Sequence, residues 1–157
     1  MSIRFYDVDE NYTDYLRKIE SRIPHISYGT NDKFLCGIVL KINDFNYYAP
    51  ISSFRQRQFT NIPIIHNNQI IGTIRFSYMF PCPDDVLIEK DFSQISDLNY
   101  RNLLIDEWNF CNREETKIKK KAEYIYKRYL SGHDSVLQNH CCNFKILEDM
   151  CLKYESQ

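Results

Sequence analysis

Lys33, Ser52 and Ser53 are the residues of this chain best suited to chemistry on an anion. A lysine ammonium is a compact cation with three donors, and a serine hydroxyl both donates and accepts. Arg55 and Arg57 follow the serines at once, and Tyr28 stands shortly before the lysine. A hairpin would bring them together. Residues 34–42 are β-branched and apolar, Asn43-Asp44 is a pair able to take the left-handed dihedrals of a tight turn, and residues 45–49 supply the returning arm. Pro50 cannot donate to a ladder and is expected to take the chain off the sheet. In an antiparallel hairpin, the start of the first strand and the end of the second share one end of the sheet. An ammonium, two hydroxyls, a phenol and two guanidinium groups at that end suit a phosphate. On spacing alone, a polar strand end with solvated side chains is the plainer reading.

The remaining pattern supplies a scaffold for that hairpin. Residues 3–6 read as a short strand, and Asp9 as the N-cap of a helix with Tyr12, Tyr15, Leu16 and Ile19 on one face, ended by Pro24. Residues 27–32 read as a polar loop, and residues 54–61 as an exposed loop of the kind that carries substrate contacts. Residues 62–65 and 69–79 form a second hairpin around His66-Asn67-Asn68, and residues 86–88 a sixth, short strand. The C-terminal half is helical. Tyr100, Leu104, Trp108 and Cys111 line one face, and Ile118, Ala122, Ile125 and Tyr129 another, with the join at 112–116 open to one long helix or two. Ser131-Gly132 closes that stretch, and a last helix from Asn143 turns Leu147, Met150, Cys151 and Tyr154 inward. The expected fold class is α+β, a twisted antiparallel β-sheet or partial barrel of about six strands surrounded by about four helices.

Composition bounds what such a scaffold can be. At 157 residues, a single domain over 1–157 is expected, large enough to bury a core. Hydrophobic residues at 43% and aromatics at 15% argue against disorder. A formal net charge of −1 does not announce a nucleic-acid binder, so any such affinity must come from local patches. No basic-then-apolar leader opens the chain and no apolar run approaches about 18 residues, so a soluble, cytoplasmic protein without a membrane partner is expected. Cys36, Cys82, Cys111, Cys141, Cys142 and Cys151 show no Cys-x-x-Cys and are expected to be reduced, small hydrophobes. His25, His66, His133 and His140 have no partner at ligand spacing, so neither a metal nor another cofactor is expected.

Tyr28…Lys33-x-x-x-Gly37-Ile38-Val39-Leu40, followed by Tyr48-Ala49-Pro50-Ile51-Ser52-Ser53, resembles the ToxN/AbiQ/CptN family. These are the toxins of type III toxin–antitoxin, or abortive infection, systems. The resemblance runs in order through Phe5-Tyr6-x-Val8…Tyr12-x-x-Tyr15-Leu16, Gly72-x-Ile74-x-Phe76…Met79-x-Pro81, Tyr100-x-x-Leu103-Leu104 and Cys142-Asn143-Phe144. It implies a Kid/MazF-like sheet and a metal-independent endoribonuclease of phage defence that cuts single-stranded, adenine-rich cellular or phage RNA. It also implies inhibition by a pseudoknotted RNA antitoxin, processed from a repeat precursor, in a closed protein–RNA hetero-oligomer.

Metal-free cleavage of RNA requires attack by a ribose 2′-OH on its own phosphate, leaving a 2′,3′-cyclic phosphate. That reaction needs a base, an acid at the departing 5′-oxygen, and positive charge for the crowded equatorial oxygens. In that scheme Lys33 supplies the charge, Ser53 holds the 2′-OH or the scissile phosphate in line, Ser52 supports it, and Tyr28 is a candidate proton carrier or phosphate donor. Ser52 stands where the family often has threonine, which keeps the hydroxyl. Arg55, Arg57, Lys117, Lys120, Lys121 and Arg128 are candidate RNA contacts. The last four form, with Tyr124, a basic stripe that Glu114, Glu115 and Glu123 dilute, and such faces are commonly just solvated. Two other classes fit the same chain: a non-catalytic RNA-binding regulator on a small β-barrel and, more distantly, a gyrase poison.

Overall fold

Asn43 and Asp44 take φ values of 53° and 65°, and Asn67 and Asn68 take 51° and 62°. Both pairs therefore make the two-residue left-handed turns that match the twist of the strands they join. The structure, a computed structural model, describes residues 3–27 and 31–155. Tyr28 lies outside the described residues. Among those described there are seven strands and five helices. In chain order they are β1 (Arg4–Val8), α1 (Glu10–Arg17), β2 (Leu35–Ile42), β3 (Phe45–Ser52), β4 (Asn61–His66), β5 (Gln69–Arg75), β6 (Phe80–Pro81) and β7 (Leu87–Glu89). The helices α2 (Leu98–Arg113), α3 (Glu115–Ser131), α4 (Ser135–His140) and α5 (Phe144–Glu155) complete the chain. The sheet runs β4-β5-β3-β2-β1-β7, with β6 beside β3, and every pairing is antiparallel. It is open rather than closed, and α+β is the correct class.

Pro50 does not take the chain off the sheet. β3 continues to Ser52, with Pro50 opposite Leu35 on β2. Ile51 donates to Phe34 O at 3.3 Å, so the neighbouring Pro50 nitrogen faces the other edge of β3. On that edge β6 pairs with Tyr47 and Tyr48, and β5 with Ile51 and Ser52. The missing donor falls between the two partners, where no ladder bond is lost.

Other boundaries move for similar local reasons. α1 stops at Arg17 rather than near Pro24, and Ile19 is 64% exposed. Lys18 and Ile19 bond back to Tyr15 O and Leu16 O, tightening the turn. That turn sends Glu20 inward, where it accepts from Arg22 and from the Asn143 N–H. β5 ends at Arg75, and residues Phe76–Tyr78 form a 3₁₀ turn whose Ser77 carbonyl accepts from Cys142 N–H at 2.8 Å. Glu114, at φ −103° and ψ 20°, divides the C-terminal helical stretch into α2 and α3. Gly132 ends α3 in the left-handed conformation that favours glycine. Helix α4 has no counterpart in the sequence reading. It is six residues long, is capped by Asp134, and buries only Leu137.

Much of the aromatic content is core. Tyr12 donates to Pro81 O at 2.6 Å, and Tyr47 and Tyr126 donate to Glu148 at 2.7 and 2.6 Å. Each ring is buried with its hydroxyl satisfied. All six cysteines are buried free thiols. α2 lies against β4 and β5, and α3 against β2. That placement of α2 forms one wall of the candidate site.

Candidate functional site

The register of the first hairpin brings its two chemical ends together. The ladder ends where Leu35 pairs with Pro50 and Phe34 O receives Ile51 N–H, and the residues just beyond that end on each side are Lys33 and Ser52. Lys33, Ser52 and Ser53 line a single cleft of about 390 Å³ with Ile71, Tyr100, Leu103 and Glu107. The two serines differ. Ser52 Oγ accepts from Phe54 N–H at 3.1 Å and so shapes the chain just past Ser53. Ser53 is exposed, and among the described residues its hydroxyl makes no hydrogen bond. A substrate therefore meets an uncommitted hydroxyl at Ser53 and a conformational one at Ser52.

Glu107 is the residue of this cleft that sequence reasoning missed. It is 4% exposed, and burial, then the charge of Asp106, pushes its carboxyl up to about 8. A Cβ built on Gly72 would lie 2.6 Å from Glu107 Oε2 and 2.9 Å from Ser52 O. Gly72 is thus the gap in β5 into which the carboxyl fits. A signal was available: Glu107 stands three residues after Leu104 and four before Cys111, an acid on the apolar face of α2. Tyr100, one further turn back on that face, is pushed up to about 12, first by burial and then by Glu107.

A second, larger groove of about 950 Å³ lies beside the cleft. Arg57, Lys117, Lys120 and Lys121 line it, together with Arg113 and a single carboxylate, Glu114. Phe59, 49% exposed, meets Tyr124 edge-on at 5.7 Å, and the Lys121 ammonium lies 4.6 Å from its ring centre. Burial and the neighbouring Lys117 hold the Lys121 ammonium below the usual lysine range. Arg128 lies farther along α3, where Asp134 takes its charge at 2.9 Å. Arg55 is exposed on the loop between β3 and β4. Arg75, also unanticipated, lies against the rings of Phe54 at 4.6 Å and Tyr78 at 4.8 Å, with its Nε unbonded.

Among the described residues, no three His, Cys, Asp or Glu side chains gather as a metal site requires, and no helix is long and apolar enough to cross a membrane. Residues 4–152 match the family described as toxin ToxN, type III toxin–antitoxin system. The chain belongs to this family. It is 31% identical over 173 residues to endoribonuclease AbiQ of Lactococcus lactis subsp. lactis, spanning 100% of the chain and 92% of that relative. It is 26% identical to endoribonuclease ToxN of Bacillus thuringiensis subsp. kurstaki, over 98% of the chain and 85% of the relative. The solved structure of AbiQ, a lactococcal anti-phage endoribonuclease, superposes with a TM-score of 0.87 at 26% identity over the whole of both chains. A bacterial type III toxin inhibited by a non-coding RNA pseudoknot shares the fold at a TM-score of 0.92 and 24% identity, again over both whole chains. The open sheet and its helices are thus the ToxN family architecture.

Proposed function

We propose that this chain is the endoribonuclease toxin of a type III toxin–antitoxin system, cutting single-stranded, adenine-rich RNA without a metal and leaving a 2′,3′-cyclic phosphate. The observation that carries this reading is the convergence of Lys33, Ser52 and Ser53 on one cleft, in a chain whose relatives bear the name endoribonuclease. The Lys33 ammonium stabilises the equatorial oxygens as charge builds on phosphorus. The Ser53 hydroxyl holds the scissile phosphate and its neighbouring 2′-OH in line, and orientation of this kind contributes several orders of magnitude in rate. Ser52 fixes the turn that presents Ser53. Arg57, Lys117, Lys120 and Lys121 take the flanking phosphates, and Phe59 offers a face on which an unpaired base stacks. The partner is a pseudoknotted RNA antitoxin, processed by the same cleft from a repeat precursor and closing with the toxin into a protein–RNA assembly.

The test is cleavage of an adenine-rich transcript by the purified chain in EDTA, with the new ends analysed for cyclic phosphate. Cutting with cyclic-phosphate ends is expected, and Ser53→Ala is expected to bind the transcript but cut it at least about 100-fold more slowly. Intact RNA in the absence of antitoxin would leave the alternative of a non-catalytic RNA-binding regulator.

A further inference from the structure

We propose that Glu107 is the general acid of the cleft, its carboxyl protonating the 5′-oxygen that departs when the RNA strand is cut. This rests on the endoribonuclease reading and goes beyond it by assigning the proton that the leaving group needs. Placement is the first support. α2 carries Glu107 over β5 at Gly72 and into the cleft of Lys33, Ser52 and Ser53. A methyl group on Gly72 would occupy the space the carboxyl takes, 2.6 Å from its oxygen.

The second support is the absence of a structural duty. Glu20 and Glu148 are similarly buried, and each is tied by several donors: Arg22 and the Asn143 N–H for the first, Tyr47, Tyr126 and Lys145 for the second. Among the described residues, Glu107 has no hydrogen bond and no ion pair, and its oxygens are not among the fully buried side-chain atoms that lack a partner, as fits a carboxyl lining the cleft. Its oxygens are left to whatever enters the cleft.

The third support is electrostatic. With its titration near 8, Glu107 carries its proton at neutral pH. An incoming phosphodiester anion pushes it the same way, and a neutral acid does not repel that anion. Among the described residues, the titratable groups around it are Asp106, Tyr100 and Cys111 on its own helix, with Lys33 and Asp32 across the cleft. The parts of β3 and β5 that face the cleft present Ile51, Ser52 and Ile71, followed by Ser53, none of which titrates in this range. In the step itself, the 2′-oxygen bonds to phosphorus as the phosphorus–O5′ bond breaks. The 2′-OH proton leaves to water, the Glu107 proton goes to O5′, and the resulting carboxylate is reprotonated from water.

The deciding experiment compares wild type and Glu107→Gln on two forms of one adenine-rich oligonucleotide. One has the ordinary 5′-oxygen at the linkage that the wild type cuts, and the other a bridging 5′-sulfur there. A thiolate departs without a proton, so the sulfur substrate does not need the acid. The variant is expected to cut the oxygen substrate at least about 100-fold more slowly than wild type, yet to cut the sulfur substrate within about threefold of it. An equal loss on both substrates, or none on either, overturns the assignment. A wild-type chain that cuts neither overturns the endoribonuclease reading itself, a different result from a defect confined to the variant. Carbon-13 NMR of the glutamate carboxyls in the unmutated chain gives a second readout. Glu107 is expected to be protonated at pH 6, and an ionised Glu107 at that pH rejects the proposal whether or not the variant folds.

Discussion

Ser52 and Ser53 are adjacent and chemically identical, and both line the cleft, yet one hydroxyl accepts from the backbone of its own loop and the other, among the described residues, makes no hydrogen bond. Residue type could not separate them, because the difference lies in where strand β3 ends and its turn begins. Glu107 makes the same point through its titration. Its folded value is raised from 4.5 to about 8, so the native chain binds this proton more tightly than the unfolded chain. The stability this contributes is fully present below about 4.5 and is lost as pH rises through about 8. Glutamine has no such titration. Glu107→Gln is therefore expected to gain stability relative to wild type between pH 5 and pH 9, by on the order of 3–5 kcal/mol. Denaturant titration of both proteins at the two pH values measures this. A difference that stays constant across the range would show that Glu107 titrates as an ordinary surface acid.

At the scale of elements, the cleft is a contact between a strand that lacks a side chain and a helix that supplies one. β5 is hydrogen-bonded to β3 at Ser52–Thr73, and Gly72 lies next to that pair. Gly72→Ala places a methyl group against both the Glu107 carboxyl and the Ser52 carbonyl. The helix and the end of β3 must then separate by a fraction of an ångström. Cleavage is expected to fall about 100-fold, because small misplacements of reacting groups carry penalties of that size. Overpacking should destabilise the chain by about 1–3 kcal/mol. Single-turnover cleavage at a temperature well below the unfolding transition separates the two effects, and an unchanged rate there would remove Gly72 from the account of the site. The hairpin turn at Asn43-Asp44 and the register shift between Gly37 and Leu40 work at the same scale, since together they set the pairing of Leu35 with Pro50 at the cleft end of β2 and β3.

For the whole molecule, the cleft and the basic groove share two elements. α2 gives Glu107 to the cleft and Phe110 and Arg113 to the groove, and the loop after β3 gives Ser53 to one and Arg57 and Phe59 to the other. An RNA strand lying along that loop meets both. The chain's formal net charge of −1 hides a groove in which five cations face one carboxylate, and local fields of this kind govern association with a polyanion. Replacing Lys117, Lys120 and Lys121 by alanine is expected to weaken RNA binding and lower the slope of log affinity against log salt by about 2, near 0.7 for each lost phosphate contact. Fluorescence-anisotropy titrations over a range of salt concentrations provide the measurement. An unaltered slope would assign the stripe to a solvated face.

Local information sufficed for the antiparallel hairpins, the one-sided helices, the meeting of Lys33 with Ser52 and Ser53 at one end of the first hairpin and the family resemblance. A left-handed Asn-Asp pair, a strand of alternating side chains and an apolar stripe each act over a few neighbouring residues. The boundaries at Pro50, Arg17 and Arg75 were not legible. They depend on which element comes alongside: β5 and β6 on the far edge of β3, Asn143 against Glu20, and Cys142 against Ser77. Nor could the sequence sort core tyrosines from exposed aromatics. Burial is a property of the packed whole. Glu107 entered the cleft for the same reason: an acid acquires a shifted titration only when a second element, here β5 with its glycine, removes water from around it.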